Sequence, residues 1–294
     1  GLGTVAGGVT VASGAALELQ GGITVGAEAL TISGTGIGGN GAVRNVSGTN
    51  SYAGALTLGA ASTIQTDAGT TTFSGAVGNG GFGFTVEGAG NTTFGGIISG
   101  AGGLTKNDAG TLTLNGANTY TGITDINAGT VSLGADSTSG VFTLDGGTLT
   151  LGTNDYNVTG TAGIAAGTTI NTTTESATSL GRITSTGIAT VSATANVNVT
   201  VNHSLANGQT FTVVDGTGGA AVSDLTTAIT DNSFAVGFTQ VTSDDANLVL
   251  MSNRETSANV APDSNTQAVV AALNSITTLT PDMQTVLTAV DTLP

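Results

Sequence analysis

Cysteine and tryptophan are absent from this chain of 294 residues, and proline occurs only three times. The lack of cysteine excludes disulfide bonds and thiolate metal sites. It leaves the cellular compartment open, although together with the enrichment in Gly, Thr and Asn it is compatible with export. Helix formers such as Lys, Arg and Gln are also scarce, which disfavours an all-helical domain over most of the length.

Basic residues are nearly missing as well: four stand against 19 acidic residues, which gives a formal net charge of −15. The four are scattered along the chain at Arg44, Lys106, Arg182 and Arg254. The sequence therefore offers no basic patch to neutralise phosphates, which makes nucleic acid and anionic membrane surfaces poor partners. We interpret the acidity as a contribution to solubility.

Glycine is abundant, with 48 residues, and 38% of the chain is hydrophobic, with Val, Ile and Leu in alternation with Thr. Only 8% of residues are charged, where roughly 25% is typical of globular proteins. Thr, Ser and Asn supply the polar surface instead, and Thr suits a pleated, half-exposed sheet. Because a disordered linker would lack such a supply of apolar residues, the composition predicts a β protein with a core and tight turns.

A four-residue word recurs along the first half of the chain: Ser or Thr, an aromatic residue, a small residue, and Gly. The aromatic positions are 52, 73, 94 and 120, so the first two intervals are equal and the third is longer. A period of roughly 20 residues is typical of solenoids, in which each turn of the chain stacks on the one before it. We predict that the aromatic residues stack above one another and that the glycines of the word belong to the same structural repeat: Tyr52, Phe73, Phe94 and Tyr120, with Gly54, Gly75, Gly96 and Gly122.

Short segments of alternating apolar and polar residues recur along the chain, as in strands with one buried face. Three of them, at 110–114, 129–133 and 147–151, begin at nearly equal intervals. A doubly wound sheet needs a helical crossover in each connection. A sandwich or barrel would not require the same word to return at a fixed interval. The sequence therefore predicts an all-β, single-stranded parallel β-helix of about a dozen rungs, on the order of 55 Å long at about 4.8 Å per rung.

Two further regions follow the repeats. From 180 to 250 the word disappears but alternation continues, which indicates less regular rungs, and Asn207-Gly208 is a hairpin or turn signal. Later, Thr280, Pro281 and Asp282 form a helix start, and apolar residues fall at helical spacing before and after it. We predict repeat-bearing rungs at 1–179, C-terminal rungs at 180–250, and a linker with two short amphipathic α-helices at 251–294.

At 102–133 the residues carry a resemblance to a known family. Four blocks, at 103–106, 110–114, 118–124 and 129–133, resemble the passenger-associated repeat of autotransporters: Gly-Leu-Thr-Lys, Gly-Thr-Leu-Thr-Leu, Asn-Thr-Tyr-Thr-Gly-Ile-Thr and Gly-Thr-Val-Ser-Leu. The segment 265–273 and the helix at 281–293 are similar to the region that precedes the translocator barrel in this family, and 247–254 to the last strand of the passenger. Parts of 181–250 also resemble the passenger end of rickettsial outer-membrane autotransporters.

The resemblance implies a right-handed parallel β-helix on the extracellular face of a Gram-negative outer membrane, or one released after cleavage. It implies one partner, the protein's own C-terminal β-barrel in the outer membrane, which we expect to lie outside this sequence. It further implies that the rungs at roughly 180–250 fold first and template the others. A host-surface receptor or sister passenger chains are the other expected partners.

Groups that catalysis or cofactor binding would use are few. His203 is the one histidine, and Ser204 beside it cannot be its nucleophile by adjacency alone. Asp244 and Asp245 are the one adjacent carboxylate pair and fall in an expected turn. The G-x-G-x-x-G matches at 36–41 and 78–83 do not open a helix in a βαβ unit. We therefore predict no catalytic residue, no metal, no cofactor and no enzyme activity.

The sequence leaves three functions open. The first is a surface-displayed passenger that acts as an adhesin, a stalk or a surface-layer structural element, and it is the one we expect. The second is a carbohydrate-binding or carbohydrate-cleaving β-helix, although the chain lacks Trp for a sugar groove. The third is an ice-binding solenoid with Thr ladders, and the unequal intervals between the repeats argue against the flat array that it needs.

Overall fold

The computed structural model describes residues 7–254, apart from 219, 228, 234–235 and 242–246. Within these residues the regular structure is β-strand, with a 3-10 turn at Ile37–Gly39 and no α-helix. The predicted all-β class is confirmed, and the two predicted tail helices lie outside the described residues. No described segment is a helix with the length and apolarity that crossing a membrane requires.

Thirty short strands follow one another along the described chain. The first fifteen are β1 Val9–Val11, β2 Leu17–Gln20, β3 Thr24–Val25, β4 Leu30–Gly34, β5 Val43–Ser47, β6 Thr49–Tyr52, β7 Leu56–Thr66, β8 Thr70–Phe73, β9 Val77–Gly78, β10 Phe84–Glu87, β11 Asn91–Phe94, β12 Ile98–Ser99, β13 Leu104–Lys106, β14 Thr111–Leu114 and β15 Thr124–Ile126. The others are β16 Thr130–Leu133, β17 Ser137–Ser139, β18 Phe142–Leu144, β19 Thr148–Gly152, β20 Tyr156–Val158, β21 Ala162–Ile164, β22 Thr169–Thr173, β23 Ile183–Ser185, β24 Ala189–Val191, β25 Asn196–Thr200, β26 Thr210–Gly216, β27 Ala220–Val222, β28 Thr230–Asp231, β29 Val236–Gln240 and β30 Asn247–Arg254.

Three faces of stacked strands surround one core, and the chain visits them in the order C, A, B in each rung. Face C consists of β1, β4, the first half of β7, β9, β12, β17, β20, β23 and β26. Face A consists of β2, β5, the second half of β7, β10, β13, β15, β18, β21, β24 and β27. Face B is a sheet of ten strands: β3, β6, β8, β11, β14, β16, β19, β22, β25 and β28. The fold is therefore a parallel β-helix, as predicted.

Neighbouring rungs pair in parallel, and their register gives the length of each rung. Thr130 pairs with Thr148, whereas Asn198 pairs with Thr230, so the second of these rungs is much longer than the first. The extra residues of the longer rungs form loops that project from the faces. The strands of successive rungs therefore stay in register. The ten strands of face B make a rod of roughly 45 Å at about 4.8 Å per step. It is shorter than predicted because the later rungs consume more residues.

Alternation builds the core, since every second side chain of a strand points inward. In β13, β15 and β18 the first and third residues are buried and the middle one is half-buried. The inward side chains of all faces form one continuous cluster from Val11 to Leu250. Burial of each large aliphatic side chain stabilises the fold by roughly 1.5 to 3 kcal/mol. Each rung therefore depends on the rungs above and below it for its core.

The C-terminal end of the coil is closed by antiparallel strands. Strand β26 pairs in parallel with β23 but antiparallel with β30, and β30 in turn pairs antiparallel with β29. Phe211 and Phe238 pack edge to face beneath this cap, with ring centroids 6.0 Å apart. The turn predicted at Asn207-Gly208 is confirmed by a φ of +79° at Gly208. A hairpin interpretation is wrong, because the flanking strands β25 and β26 lie on different faces.

Candidate functional site

Three of the four predicted ladder residues lie in one column of face B. Tyr52 pairs in register with Phe73, and Phe73 with Phe94. Their ring centroids are 6.5 Å and 5.2 Å apart, the second pair stacked at 17°, and all three side chains are fully buried. The predicted aromatic stack is confirmed for these rungs. Phe84 extends it sideways, edge to face with Phe94 at 5.3 Å.

Tyr120 does not belong to this stack, and the prediction that placed it there is wrong. Phe94 is followed in register by Leu114. The backbone at 119–121 instead bonds to β12 on face C, through Thr119 N to Ile98 O at 3.0 Å. The interval from Phe94 to Tyr120 is one rung plus part of the next. The four-residue word at Tyr120 therefore lies on face C and not on face B. The Tyr120 hydroxyl lies 2.6 Å from Thr124 Oγ1 inside the core, and burial raises the pKa of Tyr120 well above its ordinary value.

The glycines of the word mark two corners of the coil. Gly54, Gly75 and Gly96 stack in one column, where a Cβ on Gly75 would lie 2.2 Å from Gly54 O and one on Gly96 2.4 Å from Gly75 O. Gly122 stands in another column, where its Cβ would lie 2.3 Å from the carbonyl carbon of Gly102. Successive rungs approach so closely at these corners that a side chain does not fit. The repeated four-residue word therefore indicates a corner of the coil.

Lys106 is a buried cation within the repeat segment. It stacks between Val86 and Ile126 on the inward side of face A and is 2% exposed. Its Nζ donates to the backbone carbonyls of Asn107 and of Asp108, the latter at 2.8 Å. Asp108 has a φ of +59°, and its carboxylate accepts a hydrogen bond from Gly88 N of the previous rung at 3.0 Å. The lysine therefore holds a strained corner of the coil by satisfying carbonyls that the turn leaves free.

Burial lowers the pKa of Lys106 to about 8, although the nearby Asp108 and Glu87 carboxylates act in the opposite direction. The folded state then loses this proton near pH 8, whereas the unfolded chain keeps it to about 10.5. Since the unfolded state binds more protons between these values, stability rises with pH there. We expect the unfolding free energy of the wild type to gain on the order of 3 kcal/mol over Lys106→Met between pH 7.5 and 10.5. Denaturant titrations that gave parallel pH curves for the two proteins would contradict this.

Two buried asparagines tie rungs together and were missed by the sequence analysis. Asn118 accepts a hydrogen bond from Ile98 N at 2.8 Å and donates one to Ser137 Oγ at 3.1 Å, on the rungs below and above. Asn79 donates to Gly102 O at 2.8 Å and accepts from Gly102 N at 2.9 Å. Both side chains are 1% exposed. The position of each Asn next to a segment of face C was the available signal. Composition alone assigned these residues to the polar surface.

The residues weighed for catalysis do not assemble in the described part of the chain. Nδ1 of His203 is buried without a hydrogen-bond partner. Asp244 and Asp245 lie outside the described residues. No cluster of three or more His, Asp or Glu that could hold a metal occurs among the residues that the structure describes. The glycine match at 36–41 contains a 3-10 turn, and the match at 78–83 is a turn that follows strand β9. The prediction of no enzyme activity stays a prediction.

A polar cavity of about 220 Å³ lies beside the loop at 174–182. Asp155, Glu175 and Arg182 line it together with threonine and serine hydroxyls, and Arg182 Nε lies 3.5 Å from Asp155 Oδ2. None of the described residues that line the cavity is aromatic. It therefore lacks the flat apolar surface on which sugar rings stack, and it does not favour the carbohydrate alternative.

One segment of the chain matches a known protein family. Residues 104–133 match the family model described as passenger-associated-transport-repeat. No curated protein and no solved structure matches the chain. The matched segment runs from the start of β13 to the end of β16, through Lys106, Asn118, Tyr120 and Gly122. These are the residues that occupy the interior and the corners of the coil.

Proposed function

We propose that this chain, whose repeat and parallel β-helix support its being part of an autotransporter passenger, serves as a structural stalk at the bacterial surface. The observation that carries the proposal is the continuous core, which runs from Val11 in the first rung to Leu250 in the C-terminal cap. A rod built in this way resists bending, because bending would open the hydrogen bonds between rungs on one side. A stalk needs this stiffness.

The outer surface fits the same role. Half-exposed Thr, Ser and Asn side chains cover the faces, and only 8% of all residues are charged. The hydroxyl and amide groups of these side chains keep the faces hydrated with few charged residues. We further propose display on the outer face of a Gram-negative outer membrane through the protein's own β-barrel, with an adhesive function as an addition to the stalk.

Changing the number of rungs tests the stalk directly. Residues 70–90 form one complete rung, because Thr70 pairs with Asn91 and Phe73 with Phe94. Their deletion brings Phe94 over Tyr52 and Gly96 over Gly54, so every face keeps its register. Duplication of the same residues adds a rung. Both changes leave the matched repeat at 104–133 intact.

We expect the distance between an N-terminal epitope and the outer membrane to change by about 5 Å per rung, with secretion unchanged. This distance is assessed from antibody access to the epitope on cells with surface polysaccharide of defined lengths. Deletion of residues 70–80 is the control, since half a rung destroys the register and should abolish folding. All-or-none loss of access in the one-rung deletion would contradict the stalk.

A further inference from the structure

Face B carries a two-dimensional array of threonine side chains. Six successive strands, β8, β11, β14, β16, β19 and β22, each present two outward residues in register with those of their neighbours. Nine of these twelve residues are threonine: Thr70, Thr72, Thr93, Thr111, Thr113, Thr130, Thr148, Thr150 and Thr169. The other three are Asn91, Ser132 and Asn171. Unequal rung lengths do not interrupt the two rows, because the parallel pairing keeps the strands in register.

The hydroxyl groups of this threonine array are available to solvent. Thr150 Oγ1 accepts a hydrogen bond from Asn171 Nδ2 at 3.1 Å. The other eight threonine hydroxyls of the array make no hydrogen bond to any residue that the structure describes. Each of them can both donate to water and accept from it. The array is therefore a regular set of water-binding groups.

We propose that face B binds ice through the threonine array. Along each row the side chains repeat about every 4.8 Å, and the two rows lie about 6.6 Å apart, two residues along a strand. These spacings are close to distances at which oxygen atoms repeat on the surface of hexagonal ice. Water molecules bonded to the array therefore occupy positions from which an ice crystal can grow.

The threonine array is rigid before it meets its ligand. Each of the six strands pairs with a neighbour on both sides, so the backbone positions are fixed. A β-branched side chain has few accessible rotamers, which restricts the methyl and hydroxyl groups as well. The entropy cost of ordering the surface on binding is consequently small. A flexible row of serine hydroxyls would lack this advantage.

The other two faces lack such an array. On face A the outward positions include charged residues such as Asp125, which accepts the Thr143 hydroxyl at 2.7 Å. Charged groups hold a hydration shell that is costly to remove. On face C, strands such as β20 and β23 present one outward residue each, and Thr184 donates to Asn157 at 2.8 Å. Two rows of threonine with free hydroxyls therefore single out face B.

The dimensions of the threonine array favour a crystalline ligand. Six rungs extend over roughly 24 Å, and none of the twelve outward residues is charged. The carboxylates of Asp67, Asp108 and Asp145 stand in the turns before β8, β14 and β19, at one edge of the array. Single water contacts are weak, but a ligand that repeats in both directions engages all of them together. Ice repeats in this way, whereas a soluble molecule does not.

Inhibition of ice recrystallisation by the purified 294-residue chain tests the proposal. Thr93→Tyr with Thr113→Tyr places two bulky side chains in one row of face B, where the two residues pair in register. The control is Thr85→Tyr with Thr105→Tyr, an outward pair on face A of the same two rungs. All four positions are half-buried. We expect the concentration that stops crystal growth to rise at least about tenfold for the face B variant and to stay unchanged for the control.

Circular dichroism establishes that both variants are folded, and Thr148→Tyr on β19 is a second face B variant if the first pair unfolds. Crystal growth that is no slower with the wild-type chain than with an unrelated acidic protein would overturn the proposal. Equal losses in the face A and face B variants would also overturn it. So would sedimentation with microcrystalline cellulose that depends on face B while ice is unaffected, since the ligand would then be a crystalline polysaccharide. The assay involves no cell, so its failure is separate from a failure of surface display.

Discussion

Phe73→Asp is expected to lower the free energy of unfolding by at least about 4 kcal/mol, enough to unfold the rungs around it. Phe73 is the middle ring of the Tyr52–Phe73–Phe94 stack and is fully buried. The substitution removes two ring contacts and leaves an unpaired carboxylate between rungs. Since the native stack has no cation to pair with it, the loss should be larger at neutral pH than near pH 4, where the carboxyl is neutral.

Thr72→Asp is the matched control for this prediction. Thr72 is the preceding residue of the same strand, but its side chain faces outward and is half-buried. Its substitution should cost no more than about 1 kcal/mol. The two proteins are compared by urea unfolding followed by circular dichroism. Equal unfolding midpoints for the two variants would contradict the buried position of the aromatic stack.

Gly96→Ala should destabilise the protein by at least about 3 kcal/mol, although it adds only one methyl group. The new Cβ would lie 2.4 Å from Gly75 O and 2.7 Å from Ala76 N, so two rungs would have to separate at this corner. Backbone atoms cannot move aside as a flexible side chain does. The hydrogen bonds between the rungs would lengthen on both adjoining faces.

The neighbouring glycine provides the control. A Cβ on Gly95 would lie 3.4 Å or more from every atom outside its chain neighbours, which is ordinary contact distance. Gly95→Ala should therefore be neutral or stabilise by up to about 1 kcal/mol, because alanine has fewer unfolded conformations. Comparable melting temperatures for the two variants would refute the corner assignment of the repeated word.

Periodicity predicted the β-helix and most of the aromatic stack, because rungs of equal length bring the word back to the same face. It failed at Tyr120, where the longer interval from Phe94 crosses to face C. A sequence interval gives the distance along the coil but not the face, which depends on how many residues leave the coil as loops.

Other features depend on contacts between rungs and could not be predicted. Lys106 is basic and would be placed at the surface by its charge, yet it is buried because its aliphatic stem stacks on Val86 and Ile126 while its ammonium reaches two turn carbonyls. Asn118 is buried because it bonds to two neighbouring rungs. The antiparallel cap likewise follows from the pairing of β26 with β30, which no local pattern specifies.

Display of this chain on the cell surface can be tested by antibody labelling of intact cells. The full-length parent is expressed in a Gram-negative host and probed with an antibody raised against residues 104–133, with a second strain that lacks the C-terminal barrel. We expect labelling of intact cells that disappears without the barrel, while the chain is still produced. Labelling that appears only after the cells are permeabilised would contradict it.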